Sequence, residues 1–375
     1  MGGNKLPYND SGALLRAPGS GMQKLDERQY EAARGLFAGL AENHFSVGAV
    51  LACAARGEVW VDDPADPRVG LAFTSEGQYL AGDPERRDAY PGLRQTLPHN
   101  AYLICDPDWE SVLDQVWDNP YAREHPRQVY RFEGPRIIDW QARVPPGYEL
   151  AAVDRDLLRR TDLEQYEEIA GRVEEWLSLD YFLRHGFGWV ILRGSTIASR
   201  CIADCAFGES CEMGVGTARA HQRQGLGSIV VAAALDECER KGYRQIGWHC
   251  LASNRGSIGV ALKTGFAKVK DYRAYSSVLP AENAGDLSAE ECRDWAEHYE
   301  RAAGEVGWYR FYAGGAWALA GNEARALDNL QRLVDGDWQG QPEWLERSFM
   351  FESLQEDPRF RALVSRQRQK QLRSA

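Results

Sequence analysis

The chain has 375 residues, 44% of them apolar and 26% charged, with a formal net charge of −11 at pH 7. That length allows two or three domains with ample core, and the acidic balance excludes the basic surface that neutralising nucleic-acid phosphates needs. No apolar run approaches the roughly 18 residues of a membrane span and no signal-peptide pattern opens the chain, so the expectation is a cytoplasmic protein without membrane contact.

Residues 1–22 are rich in Gly, Ser and Pro and read as a flexible leader, with Met22 as a possible natural start. Residues 23–140 read as a mixed α/β lobe. Leu25–Leu40 has helical spacing (Leu25, Tyr30, Ala33, Leu36, Leu40). Strands follow at Glu58–Asp62, Gly70–Thr74 and Gln78–Gly82, separated by Asp/Pro and Glu-Gly turns. Ala101–Cys105 and Gln128–Phe132 bracket a helix near Asp108–Trp117, and Pro145-Pro146-Gly147 marks a boundary.

Residues 148–280 hold the most informative pattern. Tyr148–Val153 reads as a strand and Asp162–Leu179 as a helix; Trp189–Arg193, Ile197–Ala206 and Cys211–Thr217 read as an antiparallel meander. The meander enters a loop, Gln222-x-x-Gly225-x-Gly227, followed at once by the apolar run Ile229–Leu235. The two glycines let backbone amides approach an anion, and the helix start aims its unpaired N–H groups and positive dipole end at the same point, which suits a diphosphate. Next come Arg240-Lys241-Gly242 as a helix end, the strand Gln245–Leu251, Asn254-x-x-Ser257, a short helix and Gly265-Phe266.

This order of strand, anion loop, helix, strand, Asn, helix and Gly-Phe resembles the GNAT superfamily of acyl-CoA-dependent N-acetyltransferases. Trp248-His249-Cys250, Ala261-x-Lys263-x-Gly265-Phe266 and Tyr272-x-x-Tyr275 resemble its zwittermicin A resistance branch. The resemblance implies an α/β (α+β) fold of tandem GNAT-like mixed-sheet lobes. Residues 23–140 are then a degenerate half, and 148–280 is the half with the acyl-CoA loop. It implies acetyl-CoA as co-substrate, with no metal, bound by Val215, Gly216, Thr217, Gln222, Arg223, Gln224, Gly225, Leu226, Gly227, Ser228, Asn254 and Ser257. The strand before the loop parts from its neighbour in such folds, and the pantetheine arm lies in the gap. Asn254 reads equally well as a plain helix N-cap.

Acetyl transfer to an amine needs a base, because an alkyl amine is mostly protonated at pH 7. Glu212 stands where members of the superfamily often carry one, sharing a strand face with Gly214 and Gly216; its alternative is a solvent-facing strand residue. Many GNAT enzymes place a tyrosine four residues before Gly-Phe to protonate the CoA thiolate, and here that position is Ala261. Tyr275 is the candidate substitute, with Tyr272, His249 and Cys250 as alternatives, or the thiolate leaves unassisted. Between Glu164 and Tyr181, the acidic residues Glu174 and Glu175 lie beside Trp176 and Tyr181. This is a candidate site for a cationic substrate, or else a solvated helix face with its aromatic residues packed inward.

From residue 287 to 375 the pattern is helical. Ala316–Asn322 followed by Ala326-Leu327-x-x-Leu330 resembles a tetratricopeptide-like hairpin turning at Gly321, either a cap or a surface for a protein partner. The eight cysteines form no Cys-x-x-Cys pair and read as reduced and mostly buried, with Cys201 and Cys205 expected on one sheet face. The leading reading is an N-acetyltransferase for a small cationic amine, which the closer resemblance points to as an antibiotic-like aminopolyol, acting as monomer or homodimer. The alternatives are a non-catalytic acyl-CoA-binding scaffold and a protein or peptide N-acetyltransferase.

Overall fold

The computed structural model describes residues 21–374; the predicted leader lies almost wholly outside them. The chain divides into two units, one comprising the described residues to Asn119 with Glu124–Tyr275, the other Pro120–Arg123 with the described residues from Ser276 onward. The first unit is built on one mixed sheet of twelve strands. In chain order these are β1 (Gln23–Lys24), β2 (Glu58–Val61), β3 (Val69–Thr74), β4 (Gly77–Gly82), β5 (Leu103–Cys105), β6 (Arg123–Phe132), β7 (Glu149–Ala152), β8 (Gly188–Arg193), β9 (Thr196–Phe207), β10 (Ser210–Thr217), β11 (Gln245–Leu251) and β12 (Phe266–Ser276).

Their spatial order is β1-β2-β3-β4-β5-β12-β6-β11-β10-β9-β8-β7. The two halves of the sheet therefore exchange strands. β6, which precedes the Pro-Pro-Gly linker, lies beside β11, where Gly247 meets Arg131 and Leu251 meets Arg127. β12, the last strand, reaches β5 of the first half through Tyr275 and Leu103.

Two helices sandwich the strands around β10. α1 (Phe45–Leu51) comes from the first half, and its Phe45 and Ala49 pack against Cys205 of β9. On the opposite face lies α4 (Leu226–Arg240), whose Gly227 approaches the side chains of Val215 and Thr217. The predicted helix at Asp162–Leu179 is broken into α2 (Glu167–Glu174) and α3 (Leu179–His185). Gln165 has a positive φ, Glu164 bridges to Thr196 like a strand residue, and the Ser178 side chain caps α3. The expected helix at Leu25–Leu40 is likewise reduced to short turns at Tyr30–Ala33 and Ala38–Ala41, flanking the helix-weakening Gly35.

Cys201 and Cys205 do not share a face. The β9–β10 register steps between Glu212↔Cys205 and Met213↔Ala203, so Asp204 is an extra residue, and one inserted residue reverses which way the rest of a strand points. Cys201 joins the core under α4, and Cys205 the cluster under α1. None of the eight cysteines is in a disulfide among the described residues, and all but Cys53 are buried.

α5 (Arg255–Thr264) ends at Gly265, whose φ of +108° only glycine adopts cheaply; an added Cβ would meet the Gly134 carbonyl at 1.9 Å. Phe266 then packs fully buried between Trp248 and Phe132, which is the physical content of the Gly-Phe signature.

The second unit is helical, with α6 (Ala289–Ala302), α7 (Tyr309–Leu319), α8 (Glu323–Asp335), α9 (Pro342–Arg347) and α10 (Pro358–Ser374). Ser288 and Glu291 form a capping box at the start of α6. Gly321, at φ +79°, turns α7 into α8, and a Cβ on Gly314 would press on Leu330 at 2.9 Å, so small residues set that helix spacing. Trp295, Tyr299, Tyr309, Trp317, Phe351 and Phe360 fill a core of its own.

Candidate active site

β10 and β11 run parallel only through Ser210, Cys211 and Glu212, which face Gln245, Ile246 and Gly247. Beyond that point β10 stays with β9 as far as Thr217↔Ser199, whereas β11 stays with β6 as far as Leu251↔Arg127. The strands part, and Gly214–Thr217 on one side and Trp248–Leu251 on the other border a cleft in the sheet. The bulge at Asp204 lies next to the fork, and bulges raise local twist. A Cβ on Gly216 would fall 2.0 Å from the guanidinium of Arg200, so a larger residue there would push that side chain's end away from Glu168.

The loop that follows has two left-handed residues, Arg223 (φ +62°) and Gly225 (φ +81°). The first donation into α4 runs from Ser228 N–H to the Gly225 carbonyl at 3.1 Å. The amides from Arg223 to Gly227 have no backbone acceptor among the described residues and lie at the start of a fifteen-residue helix, where unpaired N–H groups and the positive dipole end favour an anion. Gln222–Gly225 are exposed, while Leu226, Gly227 and Ser228 are buried against the sheet. Gln222 donates to the Thr217 carbonyl and Gln224 accepts from the Tyr148 hydroxyl, so both side chains brace the loop. Asn254 caps α5 by accepting from Ser257 N–H at 2.8 Å, and the Ser257 hydroxyl accepts from Trp248 Nε1 at 3.0 Å. Both residues thus hold the end of β11 to α5, beside the cleft.

Glu212 sits at the fork itself and is 4% exposed, which excludes the solvent-facing reading. Burial raises its carboxyl well above the usual range, with Glu76 and Asp204 adding to the shift and Arg131 and Arg127 opposing it. His249 Nε2 lies 3.7 Å from Glu212 Oε1, but burial pushes that imidazole down to about 3, so the pair is not an ion pair near neutrality. Nε2 faces the Asn43 carbonyl at 2.8 Å and must carry the proton; Nδ1 then accepts from the Tyr272 hydroxyl at 3.0 Å, which in turn accepts from Arg127 Nε at 2.7 Å.

The first half of the sheet contributes directly. His44 packs 4.8 Å from the rings of both His249 and Tyr272, and Tyr79 accepts from Ser46 at 3.2 Å. Glu76, in the β3–β4 turn, shares Arg172 with Glu175 (both at 3.3 Å) and with Asp204 (3.4 Å). Burial raises Asp204 to about 7. Asp204, His44 and Glu76 were not legible beforehand, because a bulge and a partner from another lobe leave no local pattern.

The remaining candidates fall in different places. Tyr275 points among Glu110, Glu124, Cys105 and Arg273 on the β5 side, a neighbourhood separate from that of Glu212. It is Tyr272 that shares electrostatic surroundings with Glu212. Ala261 is a buried helix residue. Of the acidic stretch, Glu174 is exposed, and Glu175 turns inward to Arg172. Trp176 is core, donating to the Ala203 carbonyl at 3.2 Å, and Tyr181 is half-buried beside it. Among the described residues no cluster of His, Cys, Asp or Glu has metal-holding geometry, and no helix is long and apolar enough to cross a membrane.

Known proteins share this architecture. The family model for GNAT acetyltransferases matches residues 34–275. An uncharacterized N-acetyltransferase of Bacillus subtilis (strain 168), YdfB, is 25% identical over 267 residues, covering 68% of this chain and 98% of that protein. Among solved structures, a GCN5-related N-acetyltransferase-like protein from Streptococcus suis is 23% identical with a TM-score of 0.54, covering 66% of this chain and 98% of its own. A tandem GNAT protein from the clavulanic acid biosynthesis pathway is 15% identical with a TM-score of 0.47, over 70% of this chain and 99% of its own. The family match spans both halves of the sheet, the cleft and the glycine loop: the chain belongs to the GNAT acetyltransferase family and is an N-acetyltransferase.

Proposed function

We propose that this enzyme transfers the acetyl group of acetyl-CoA directly to a primary amine of a small cationic molecule, with Glu212 as general base. The observation that carries the reading is the position of Glu212, a buried carboxyl at the fork between β10 and β11, one strand-length from a loop of amides without backbone acceptors. The diphosphate of the co-substrate is assigned to the amides of Arg223–Ser228, and the pantetheine arm to the cleft beside Val215, Gly216 and Thr217. Glu212 acts as base in its ionised form, which Arg131 and Arg127 favour against burial; in that form its raised proton affinity takes a proton from an ammonium more readily than an ordinary carboxylate does. The proton leaves the amine for Glu212, the nitrogen lone pair attacks the thioester carbon, and a β10 backbone N–H near Val215 meets the oxyanion. The C–S bond then breaks. The nitrogen's second proton balances the one the thiolate takes up: Tyr272, held by Arg127 and His249, is the hydroxyl we assign to this relay, giving its proton to sulfur and recovering one from the nitrogen, in preference to Tyr275. An antibiotic-like aminopolyol fits the branch that Trp248–Cys250 resembles, and the helical unit is read as tetratricopeptide-like.

The test is Glu212→Gln. With an amine panel and free-CoA release as readout, the maximal rate should fall about 10²–10⁴-fold while acetyl-CoA affinity holds. The deficit should shrink at high pH, where free amine forms unaided. An unchanged rate at neutral pH removes Glu212 from the mechanism, and no CoA release with any amine favours the non-catalytic acyl-CoA-binding reading.

A further inference from the structure

Arg223, in the middle of the glycine loop, holds a left-handed backbone at φ +62°. That conformation disfavours a side chain, and it persists where surrounding contacts over-determine it. The backbone supplies little of the restraint, since the amides from Arg223 to Gly227 have no backbone acceptor among the described residues and Gln222–Gly225 are exposed. The Gln222 side chain ties the start of the loop to the Thr217 carbonyl. A second restraint comes from outside the loop, through the hydroxyl of Tyr148.

Tyr148 follows Pro145-Pro146-Gly147 directly. Its N–H donates to the Pro145 carbonyl at 3.1 Å, and Gly147, at φ +82°, completes that turn, so the residue is fixed to the linker where β7 begins. Its hydroxyl lies 2.9 Å from His221 Nδ1 and 2.9 Å from Gln224 Oε1, on either side of Arg223 in the chain. A phenol has one proton and two lone pairs. Gln224 Oε1 takes the proton, so His221 Nδ1 donates into one lone pair and Arg193 Nη1, at 3.4 Å, into the other. The hydroxyl is thereby saturated. The Arg193 guanidinium also lies over the phenol ring, 5.2 Å from its centroid, and the His221 ring meets the phenol in a T-shaped contact.

We propose that Tyr148 is a positioning residue: anchored by the linker and by Arg193, it clasps His221 and Gln224 and holds the loop in the left-handed form that presents its amides to the diphosphate of acetyl-CoA. The proposal rests on the co-substrate reading above and deepens it. It gives the linker a part in co-substrate affinity, because a loop already ordered before binding has less freedom to lose when the diphosphate arrives.

The experiment uses the full chain as wild type, Tyr148→Phe, Gln224→Leu and the double variant. Phenylalanine keeps the ring under Arg193 and removes only the hydroxyl. Calorimetric titration should show about tenfold weaker acetyl-CoA binding by Tyr148→Phe. The double variant should bind as Tyr148→Phe does, because the two changes break one contact. Limited trypsin digestion without ligand reads the loop itself: cleavage after the exposed Arg223 should be about tenfold faster in Tyr148→Phe, at an unchanged melting temperature. Acetyl-CoA affinity equal to wild type, losses that multiply in the double variant, or cleavage after Arg223 at the wild-type rate overturns the proposal. Faster cleavage in Tyr148→Phe, when the wild type binds no acetyl-CoA, leaves the clasp standing and removes the co-substrate reading instead.

Discussion

At the scale of the residue, the fork gathers two acids that burial pushes the same way and a histidine that burial pushes the other way. Glu212 and Asp204 are raised and His249 is lowered, so all three favour their uncharged forms. The consequence for stability has a definite sign. Asp204 has a folded-state value of about 7 against an ordinary 3.8. The stability it contributes is therefore fully present below about pH 4 and is lost as pH rises through about 7. Asp204→Asn, which removes the ionisation, should make the protein more stable than wild type at pH 8, by about 1–3 kcal/mol. The difference should shrink toward pH 5, as denaturant melts at the two pH values will show; a loss of stability at pH 8 would mean that the contact with Arg172 outweighs desolvation. Glu212 was legible from its spacing to the glycine loop. Asp204 was not, since it reads as one more polar residue in an apolar strand until the register step is seen.

At the scale of the element, glycines shape the loop and strand proposed to hold the co-substrate, each for a different reason. Gly225 has open space around its missing Cβ, but its φ of +81° disfavours a side chain; a left-handed residue with a Cβ costs about 1–2 kcal/mol, more when β-branched. Gly225→Val should therefore re-form the loop with its amides turned away, and the thermal stabilisation that acetyl-CoA gives the wild type should vanish. Stabilisation equal to wild type would show that the loop is not the diphosphate site. Gly216 is constrained by the Arg200 guanidinium, not by its φ. The strands and the loop were readable because period-two alternation and the Gly-x-Gly signal are local. The long acidic helix was misjudged because its start is displaced by the Glu164 bridge to Thr196 and the positive φ of Gln165, and its continuation is cut by the Ser178 cap, contacts that periodicity does not encode.

At the scale of the whole sheet, the linker at Pro145–Gly147 separates two stretches of sequence without separating two structures. β6 stands between β12 and β11, so the strand that bears the floor of the cleft is paired with a strand from before the linker. Arg127 and Arg131, the two cations that act on Glu212, both lie on that borrowed strand. Residues 43–79 add the rings and carboxyl around the fork. A chain restricted to residues 148–280 would keep the glycine loop and Glu212, yet it would leave one edge of β11 without its ladder of backbone hydrogen bonds and Glu212 without its arginines. Open edges of that kind recruit other chains. We therefore expect this fragment to aggregate or to melt without a cooperative transition, whereas the full chain's sheet should unfold in one step that acetyl-CoA delays. Differential scanning calorimetry of the two proteins decides the matter. A fragment that melts cooperatively and binds acetyl-CoA as the full chain does would show that the exchanged strand serves the first half alone, and that the catalytic fork needs nothing from before the linker.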